Sequence, residues 1–335
     1  MDTGHQQHSH TASRVVAVMP VHNRRDTTLQ CVESLERSRV AGIDLRIVVV
    51  DDGSTDGTGE ALRRLHPTVE IIKGDGSLWY TAGTNRGLSA ALRHDPDFVL
   101  AMNDDAVVPP SCLPRIIACA RKHPRSVVTP LLVRWDDYRT VFQIAPIWST
   151  WYGGWRHWLQ QTVDTVPEEP FEAQMIVGNA MLIPADAIRQ QGLMLEKWLP
   201  QYFGDAEYTV RLRRAGWRLI VEPRAQLWCM PNSPPRRLSG SSPAELWRML
   251  WVDRRSPYNL RARFLLAWRT APSKMQAIIA CIVFLVRVAL KKAGRAGARP
   301  NGWPEQPVAA WARRIESRDQ PFESHLADKG DHLEH

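Results

Sequence analysis

Short apolar runs alternate with helix-like segments along the first hundred residues. The apolar runs at residues 15–19, 46–50, 69–72 and 98–102 are predicted to be strands. Residues 27–37, 59–65 and 84–93 lie between them and are predicted to be helices. The second run is almost continuously apolar, as expected for a parallel strand buried on both faces. The alternation predicts an α/β fold with a doubly wound, mostly parallel central sheet flanked by helices.

The length and texture of the chain suggest more than one part. The chain has 335 residues, and thirteen of its fourteen tryptophans lie beyond about residue 130. We predict a main domain over residues 14–235, whose second half begins near residue 130. A basic helical extension is expected over residues 236–300, with disordered tails at residues 1–13 and 301–335.

Positive charge is concentrated near the end of the chain. The formal net charge is +8, yet residues 250–299 hold eleven lysines and arginines against one acid, Asp253. Such a block predicts an anionic partner, and the lack of a nucleic-acid motif argues against nucleic acid. The apolar stretch at 277–286 is too short to span a bilayer. It is either a helix in the interface of an anionic membrane or a buried helix that closes the main domain.

The cysteines and the N-terminus bear on localisation. Five cysteines show no metal-ligand spacing, and their odd number fits a reduced cytosolic protein. Residues 1–13 are polar and lack the apolar core of a signal peptide. We therefore expect a cytoplasmic protein, with peripheral attachment to the inner face of the cytoplasmic membrane left open by the basic segment.

Two acids follow the fourth predicted strand directly, in the sequence Asn103-Asp104-Asp105. Open α/β sheets bind ligands at the carboxyl ends of their strands. Paired carboxylates at such a place offer the oxygen ligands that divalent cations prefer. The alternative is a solvated, Asp-rich turn.

A second polar cluster follows the second predicted strand. Asp51 and Asp52 open the stretch Asp-Asp-Gly-Ser-Thr-Asp-Gly-Thr at residues 51–58. This pattern is typical of an Asx-rich turn before a capped helix, and a carboxylate there can also hold a nucleotide base or ribose. Pro20, His22 and Asn23 follow the first strand and are expected at the same edge of the sheet.

Taken together, these stretches resemble family 2 glycosyltransferases of the GT-A fold. The resemblance rests on residues 19–24, 50–58, 74–87, 103–105 and 202–211, which occur in the family's order and spacing over roughly residues 14–233. Residues 76–80 and 256–261 further resemble rhamnosyltransferase-like members. The resemblance implies transfer of a sugar from a nucleotide-diphosphate donor, such as a dTDP- or UDP-sugar, to a glycan or lipid-linked acceptor.

The resemblance also implies residue roles. It implies that Asp105 holds Mg²⁺ or Mn²⁺ on the donor diphosphate. Gly178 and Asn179 match the strand before the acceptor region, and Glu207 and Arg211 fall beside the catalytic position as support. The donor nucleotide pocket is expected to include Pro20, His22, Asn23, Asp51, Asp52, Trp79, Asn85, Arg86, Asn103 and Asp104.

Asp205 is the candidate general base. It follows the aromatic pair Tyr202-Phe203 and opens a predicted helix that ends near Gly216. Acceptor attack needs a base aimed at a hydroxyl, and the family places its catalytic carboxylate here. The structural alternative is that Asp205 only caps the helix, with Glu207 favoured in the first turn by the helix dipole.

The glycine-containing loop at residues 74–87 allows a test against a dinucleotide fold. Gly74 and Gly76 begin the pattern Gly-x-Gly-x-x-Gly, but its third position is Trp79. The nicotinamide interpretation therefore fails. Many similar proteins carry a metal-binding His near residue 229, where this chain has Cys229.

We therefore expect an inverting glycosyltransferase in which Asp205 is the base and a metal ion assists. Two alternatives stay open. A nucleotidyltransferase also uses metal and carboxylates on an α/β sheet. A catalytically impaired family member that only binds nucleotide would fit the missing His.

Overall fold

The computed structural model describes residues 12–157, 161–230, 238 and 240–292, with side chains to residue 290. Of the tails expected at 1–13 and 301–335, residues 1–11 and 301–335 lie outside the described residues, whereas Ala12 is described and Ser13 begins the first strand.

The described chain forms strands and helices that alternate through its first half. The twelve strands are β1 (Ser13–Val21), β2 (Ile43–Asp51), β3 (Glu70–Lys73), β4 (Phe98–Met102), β5 (Ala106–Val107), β6 (Ser126–Arg134), β7 (Val141–Gln143), β8 (Ile147–Ser149), β9 (Gly154–Arg156), β10 (Phe171–Glu172), β11 (Ala180–Pro184) and β12 (Arg218–Cys229). The α-helices are α1 (Arg25–Arg37), α2 (Thr58–Leu65), α3 (Trp79–Leu92), α4 (Cys112–Lys122), α5 (Ala185–Gln191), α6 (Gly204–Arg214), α7 (Pro243–Trp247), α8 (Leu260–Thr270) and α9 (Lys274–Lys292). Short 3-10 turns occur at Thr150–Tyr152 and Val163–Thr165, and a π-helical turn at Arg248–Val252.

One large mixed sheet organises the protein. Its strands lie in the order β10-β12-β6-β11-β4-β1-β2-β3, with β5 on β12 and β7 on β6. The pairs among β1, β2, β3 and β4 are parallel, as is the β6–β12 pair. Strand β11 runs antiparallel between β4 and β6 and joins the two parallel halves. The expected α/β class with a mostly parallel sheet flanked by helices is confirmed.

The sheet has a hydrophobic core on each face because its central strands are apolar at nearly every position. In β1, Val15, Ala17 and Met19 face one core, and Val16 and Val18 face the other. Helices α1 and α4 cover the first face, and helices α3, α5 and α6 cover the second. This layering holds the carboxyl ends of β1, β2 and β4 together at one edge.

Helix α3 begins five residues earlier than its sequence pattern predicts. The expected start was residue 84, and the helix starts at Trp79. The backbone N–H groups of Leu78 and Trp79 donate to the carboxylate of Asp52, at 3.0 and 3.1 Å. A carboxylate at a helix N-terminus satisfies donors that have no partner within the helix, which accounts for the early start.

Within the range expected for the C-terminal extension, the described residues include helices α7, α8 and α9. Helix α9 packs closely on a β8–β9 hairpin, where a side chain on Gly153 would lie 3.0 Å from the backbone nitrogen of Phe284. The indole N–H of Trp155 in this hairpin donates to Thr270 of α8 at 2.9 Å. Among the described residues, no helix is long and apolar enough to cross a membrane. The domain boundary at 235/236 stays a prediction.

Tyr208 tests the packing of α6 against the sheet. Its side chain is fully buried, and its hydroxyl has no hydrogen-bond partner among the described residues. We expect Tyr208→Phe to leave the free energy of unfolding within about 1 kcal/mol of wild type, since no bond is lost. Tyr208→Ala should lose roughly 3–5 kcal/mol through the cavity it creates. Denaturant unfolding measures both, and a large loss in Tyr208→Phe would contradict this account of the packing.

Candidate active site

The acid pair lies where β4 ends. Asp104 and Asp105 are almost completely buried, and both are bound by one arginine. The Arg24 guanidinium contacts the Asp104 carboxylate at 3.1 Å and the Asp105 carboxylate at 3.2 Å. The Thr28 hydroxyl of α1 donates to the other oxygen of Asp104 at 2.9 Å. The pair is therefore a charged cluster at the edge of the sheet rather than a solvated turn.

The oxygens of this cluster fit a divalent cation. Burial raises the pKa of Asp104 to about 6, although Arg24 opposes the rise. The Oδ1 atom of Asp105 is buried without a hydrogen-bond partner among the described residues. No group of three or more His, Cys, Asp or Glu side chains in the described part of the chain is placed to hold a metal. A cation bound here would rest on one or two carboxylates and on substrate phosphates, as Mg²⁺ often does.

Asp52 shapes the loop that borders the cleft. Its Oδ1 accepts from the N–H of Gly76 at 2.8 Å, and its Oδ2 accepts from Leu78 and Trp79. The neighbouring Asp51 ends β2, and its Oδ1 accepts from the N–H of Ser54 at 3.0 Å. Sequence reasoning grouped both acids with the donor nucleotide. Because three amides engage the buried Asp52 carboxylate, we assign that residue to holding the loop.

The residues after β1 line the adjoining wall. Strand β1 extends through Pro20 to Val21, because the Val21 carbonyl accepts from the N–H of Asp52 at 2.9 Å. His22 is exposed, and its Nδ1 lies 2.6 Å from the carbonyl oxygen of Asp52. Asn23 has φ 51°, and its Oδ1 accepts from the N–H of Thr55 at 2.7 Å. The two polar segments expected at one edge of the sheet are therefore in direct contact.

Asp205 stands in the first turn of α6. The N–H of Gly178 donates to its Oδ2 at 2.6 Å, which fixes the direction of the carboxylate. A side chain at residue 178 would lie 2.0 Å from the Tyr80 hydroxyl and 3.0 Å from the same Asp205 oxygen. Only glycine therefore allows this close approach. Burial raises the pKa of Asp205, and the Gly178 hydrogen bond opposes the rise.

Backbone contacts bring Asp205 and the acid pair to the same cleft. The N–H of Asn103 donates to the carbonyl of Asn179 at 3.1 Å, beside the Gly178 that holds Asp205. The Tyr80 hydroxyl donates to the carbonyl of Gly178 at 3.2 Å. Burial raises the pKa of Tyr80, and the charges of Asp205 and of the nearby Asp105 add to the rise. The structure therefore places the candidate base and the candidate metal ligand around one tyrosine.

Glu207 supports the helix that carries Asp205. Its buried carboxylate is bound by Arg211 at 3.4 Å and by Arg269 of α8 at 2.7 Å. Arg211 also donates to the carbonyls of Gln191 and Leu193. Both residues thus connect α6 to neighbouring segments, and their supporting role in catalysis stays a prediction.

Three further residues expected at the donor pocket, Trp79, Asn85 and Arg86, have the following contacts and exposure, and their role at the donor stays a prediction. The buried Asn85 amide donates to the carbonyl of Met194 at 3.0 Å and to Glu196 at 2.7 Å, so it fixes a distant loop. Arg86 is exposed on α3. Trp79 is partly buried, with φ 57°, and its ring lies 5.4 Å from the guanidinium of Arg255. The pattern of the glycine loop did not reveal these contacts, because their partners are distant in sequence.

Cys229 is not placed as a ready metal ligand. It is fully buried in β12, where it pairs with Ala106 directly after the acid pair. Burial raises the pKa of its thiol, and the charge of Asp105 adds to the rise. Metals bind the thiolate, so a thiol kept protonated is a poor ligand.

Sequence reasoning missed two residues of the cleft. Arg24 follows His22-Asn23 and is a cation beside an acid-rich edge, which is the sequence signal that indicates it. Tyr80 follows the more conspicuous Trp79 and has no such signal of its own. Each is recognised only through partners far away in sequence.

Comparison with known proteins supports the same class. A family model described as "Glycosyl transferase family 2" matches residues 16–189, just over half of the chain. The N-acetylglucosaminyl-diphospho-decaprenol L-rhamnosyltransferase of two Mycobacterium tuberculosis strains is 26% identical over 201 residues. The match covers 54% of this chain and 65% of the relative, so the chain spans less than two thirds of that relative's length.

Solved structures show the same fold. The mannosyltransferase PcManGT from Pyrobaculum calidifontis, solved with GDP-Man and Mn²⁺, has a TM-score of 0.52 and 18% identity, covering 91% of this chain and 80% of its own. GalNAc-T7, solved with UDP, GalNAc and Mn²⁺, has a TM-score of 0.55 and 13% identity, covering 84% of this chain and 57% of its own. The GT-A architecture expected from the sequence is confirmed.

Asp52 offers a test of how the cleft is held. Asp52→Ala removes three hydrogen bonds from backbone amides to a carboxylate. We expect the free energy of unfolding to fall by about 3 kcal/mol, because bonds to charged groups are the stronger ones. Asp75→Ala is the matched control, since Asp75 is an exposed acid of the same loop. Equal losses in the two variants, measured by urea unfolding, would contradict the role given to Asp52.

Proposed function

The chain belongs to glycosyl transferase family 2, and on that premise we propose that it transfers a sugar from a nucleotide-diphosphate donor to an acceptor hydroxyl with inversion. The observation that carries the proposal is the Asp205 carboxylate. It is aimed by the Gly178 amide and tied through Asn179 and Asn103 to the acids at the end of β4.

The proposed reaction is a single displacement. The Asp205 carboxylate takes the proton of an acceptor hydroxyl, and the hydroxyl oxygen attacks the anomeric carbon of the donor sugar. The bond from that carbon to the diphosphate oxygen breaks, and the nucleoside diphosphate leaves with the bonding electrons. The raised pKa of Asp205 makes its carboxylate a stronger base than an ordinary aspartate.

Asn103 is proposed on the ribose side of the donor, and Asp105 would hold the divalent cation. Mg²⁺ or Mn²⁺ there would offset the charge that builds on the leaving diphosphate. The buried Oδ1 of Asp105 supports this, as do the Mn²⁺ ions in PcManGT and GalNAc-T7. His22, Asn23 and Asp51 are proposed to contact the nucleotide, because they border the same edge of the sheet.

The sequence resemblance and one relative support the proposed donor and acceptor classes. The Mycobacterium tuberculosis relative is named as an L-rhamnosyltransferase acting on a diphospho-decaprenol lipid. On that support we propose a lipid-linked or glycan acceptor of a bacterial surface polymer, and on the sequence resemblance a dTDP- or UDP-sugar as donor.

The first test measures the turnover of a panel of UDP-, dTDP- and GDP-sugars with Mn²⁺. The release of nucleoside diphosphate is the quantity measured. We expect one donor to be turned over. Asp205→Asn should lower the rate by roughly 10²–10⁴-fold while donor affinity is kept, since only the base is lost. Asp105→Ala should abolish turnover, because the residue proposed to hold the metal is lost. Asp186→Asn, an exposed first-turn acid of α5, is the matched control and should behave as wild type.

The same panel separates the alternatives. Release of pyrophosphate instead of nucleoside diphosphate would indicate a nucleotidyltransferase. Nucleotide binding without turnover, independent of metal and unchanged in Asp105→Ala, would point to a family member that has lost catalysis. The Arg24 contact with both acids is the observation that favours this second alternative.

Arg24 is proposed to compete with the metal for the acid pair. It contacts both carboxylates but is 37% exposed, so it can move away when a cation and a diphosphate enter. We expect Arg24→Gln to tighten Mn²⁺ binding without nucleotide by roughly tenfold, which corresponds to about 1.4 kcal/mol. Electron paramagnetic resonance of free Mn²⁺ measures the affinity. Arg25→Gln removes a neighbouring exposed cation as the control, and weaker Mn²⁺ binding in Arg24→Gln would contradict the competition.

We propose peripheral contact with an anionic membrane through α9. Met275, Ile278, Ile282 and Val286 are each 46–68% exposed and recur at helical spacing. The segment around them is strongly basic, as helices in an anionic interface are. Trp247 and Trp251 lie exposed before α8, a residue type favoured at membrane interfaces.

Vesicle co-sedimentation tests this contact. We expect the protein to sediment with phosphatidylglycerol vesicles more than with phosphatidylcholine vesicles, and salt to weaken the binding. Ile278→Asp/Ile282→Asp should abolish it. Leu65→Asp, at an equally exposed apolar residue of α2, is the control. Binding that survives the double substitution would rule out α9 as the contact surface.

A further inference from the structure

A large cavity lies beside the helix that carries Asp205. Its volume is about 550 Å³, within the range of roughly 300–1,000 Å³ typical of small-molecule sites. It is enclosed by the β8–β9 hairpin, the start of α6, and helices α8 and α9. None of the residues assigned above to donor or metal lines it.

The walls of the cavity are mostly apolar and aromatic, and three arginines line it: Arg261, which is exposed, and Arg263 and Arg287, which lie against aromatic rings. Arg263 lies between two rings, with its guanidinium carbon 5.1 Å from the centre of Phe203 and 4.2 Å from that of Phe284. Arg287 lies 3.8 Å above the ring of Tyr152 and donates to the carbonyl of the same residue. Among the described residues, neither arginine forms a salt bridge with a carboxylate.

Burying such a cation costs free energy unless an anion lies in contact with it. The pKa of Arg263 is lowered to about 10, mainly by burial and in part by the nearby charge of Arg287. A charge withdrawn from water is stabilised only by a partner charge and hydrogen bonds. Guanidinium groups match phosphate best, because they offer several N–H donors in a planar fork. The two arginines therefore lack the anionic partner that their setting favours.

The cavity connects the catalytic helix with the exposed apolar face. Phe203 and Ala206, which flank Gly204 and Asp205, both line it. At the other end, Phe264 and Leu285 line it while remaining 49% and 45% exposed. A molecule with an apolar chain and an anionic head can thus enter from the face proposed to contact the membrane and lie beside the turn that carries Asp205, although Asp205 itself does not line the cavity.

We infer that this cavity binds the phosphate-bearing lipid of the acceptor, with Arg263 and Arg287 on the phosphate and the aromatic walls around the first part of the chain. The acceptor role rests on the function proposed above, whereas binding itself does not. The sugar attached to that phosphate then lies on the side of Asp205, with its acceptor hydroxyl toward the carboxylate. The rest of the apolar chain remains in the membrane.

Calorimetric titration with farnesyl diphosphate, without added metal, tests the site. Inorganic diphosphate and farnesol are the comparison ligands, because each carries only half of the required chemistry. We expect farnesyl diphosphate to bind at least tenfold more tightly than either. Arg263→Met should weaken the binding of farnesyl diphosphate at least tenfold. It should leave the affinity for farnesol unchanged, since the apolar contacts with Phe203 and Phe284 are kept.

Two further variants complete the test. Arg287→Gln should weaken the binding of farnesyl diphosphate in the same way. If Arg263→Met does not fold, this variant tests whether the cavity arginines bind the phosphate. Arg248→Gln removes an exposed cation of the same basic segment outside the cavity, and should change affinity less than twofold. The melting temperature of Arg263→Met should equal or exceed that of wild type, because an unpaired buried charge is removed.

Several outcomes would overturn the inference. These are equal binding of farnesol and farnesyl diphosphate, equal binding of inorganic diphosphate, or unchanged affinity in both arginine variants. Equal competition by short-chain phosphatidylglycerol would assign the cavity to bulk phospholipid instead of an acceptor. Donor binding on the same samples separates the proposals. If farnesyl diphosphate binds and no nucleotide sugar does, the cavity proposal holds and the transferase proposal is contradicted. If a nucleotide sugar binds and farnesyl diphosphate does not, the transferase proposal holds and the cavity proposal is contradicted.

Discussion

The antiparallel pairing of β11 with β4 is the constraint on which the cleft depends. Because β11 runs opposite to β4, the residues just before β11 lie at the carboxyl end of β4, with Ala180 opposite Met102. Gly178 and Asn179 therefore reach the acid pair, and the Gly178 amide orients the Asp205 carboxylate. A parallel strand in this position would have placed its carboxyl end, rather than these residues, beside the acids.

The charged side chains around the cleft are of two kinds. Some stabilise the fold, and others remain available to bind a ligand. Asp52 and Glu207 are buried and bound on each side, by backbone amides and by two arginines respectively. Arg24 is partly exposed and joins two acids whose remaining oxygens include an unpartnered one. Buried polar groups with all their partners stabilise one conformation, whereas the half-satisfied group is the one expected to bind a ligand.

Much of the fold could be predicted because its signals are local. The apolar runs of β1, β2, β3 and β4 and the periodicity of the helices between them identify an α/β sheet without knowledge of any contact. The placement of acids at the ends of β2 and β4 follows from the same pattern. The family resemblance then added expected roles for Asp205 and Asp105.

The remaining features depend on contacts between distant residues. The early start of α3 depends on Asp52, and the setting of Asn85 depends on Met194 and Glu196. The sequence could not show that β11 is antiparallel to its neighbours, because the composition of a short apolar run is the same for a parallel and an antiparallel strand. The arginine-lined cavity arises only when α8 and α9 pack on the β8–β9 hairpin.

The stereochemistry of the product tests the central claim most directly. With the donor identified, proton NMR of the first product formed reports the configuration of its anomeric carbon. A single displacement with Asp205 as base predicts inversion relative to the donor from the earliest time point. Retention of configuration would require a second nucleophile or a different attacking face, and would contradict the role given to Asp205.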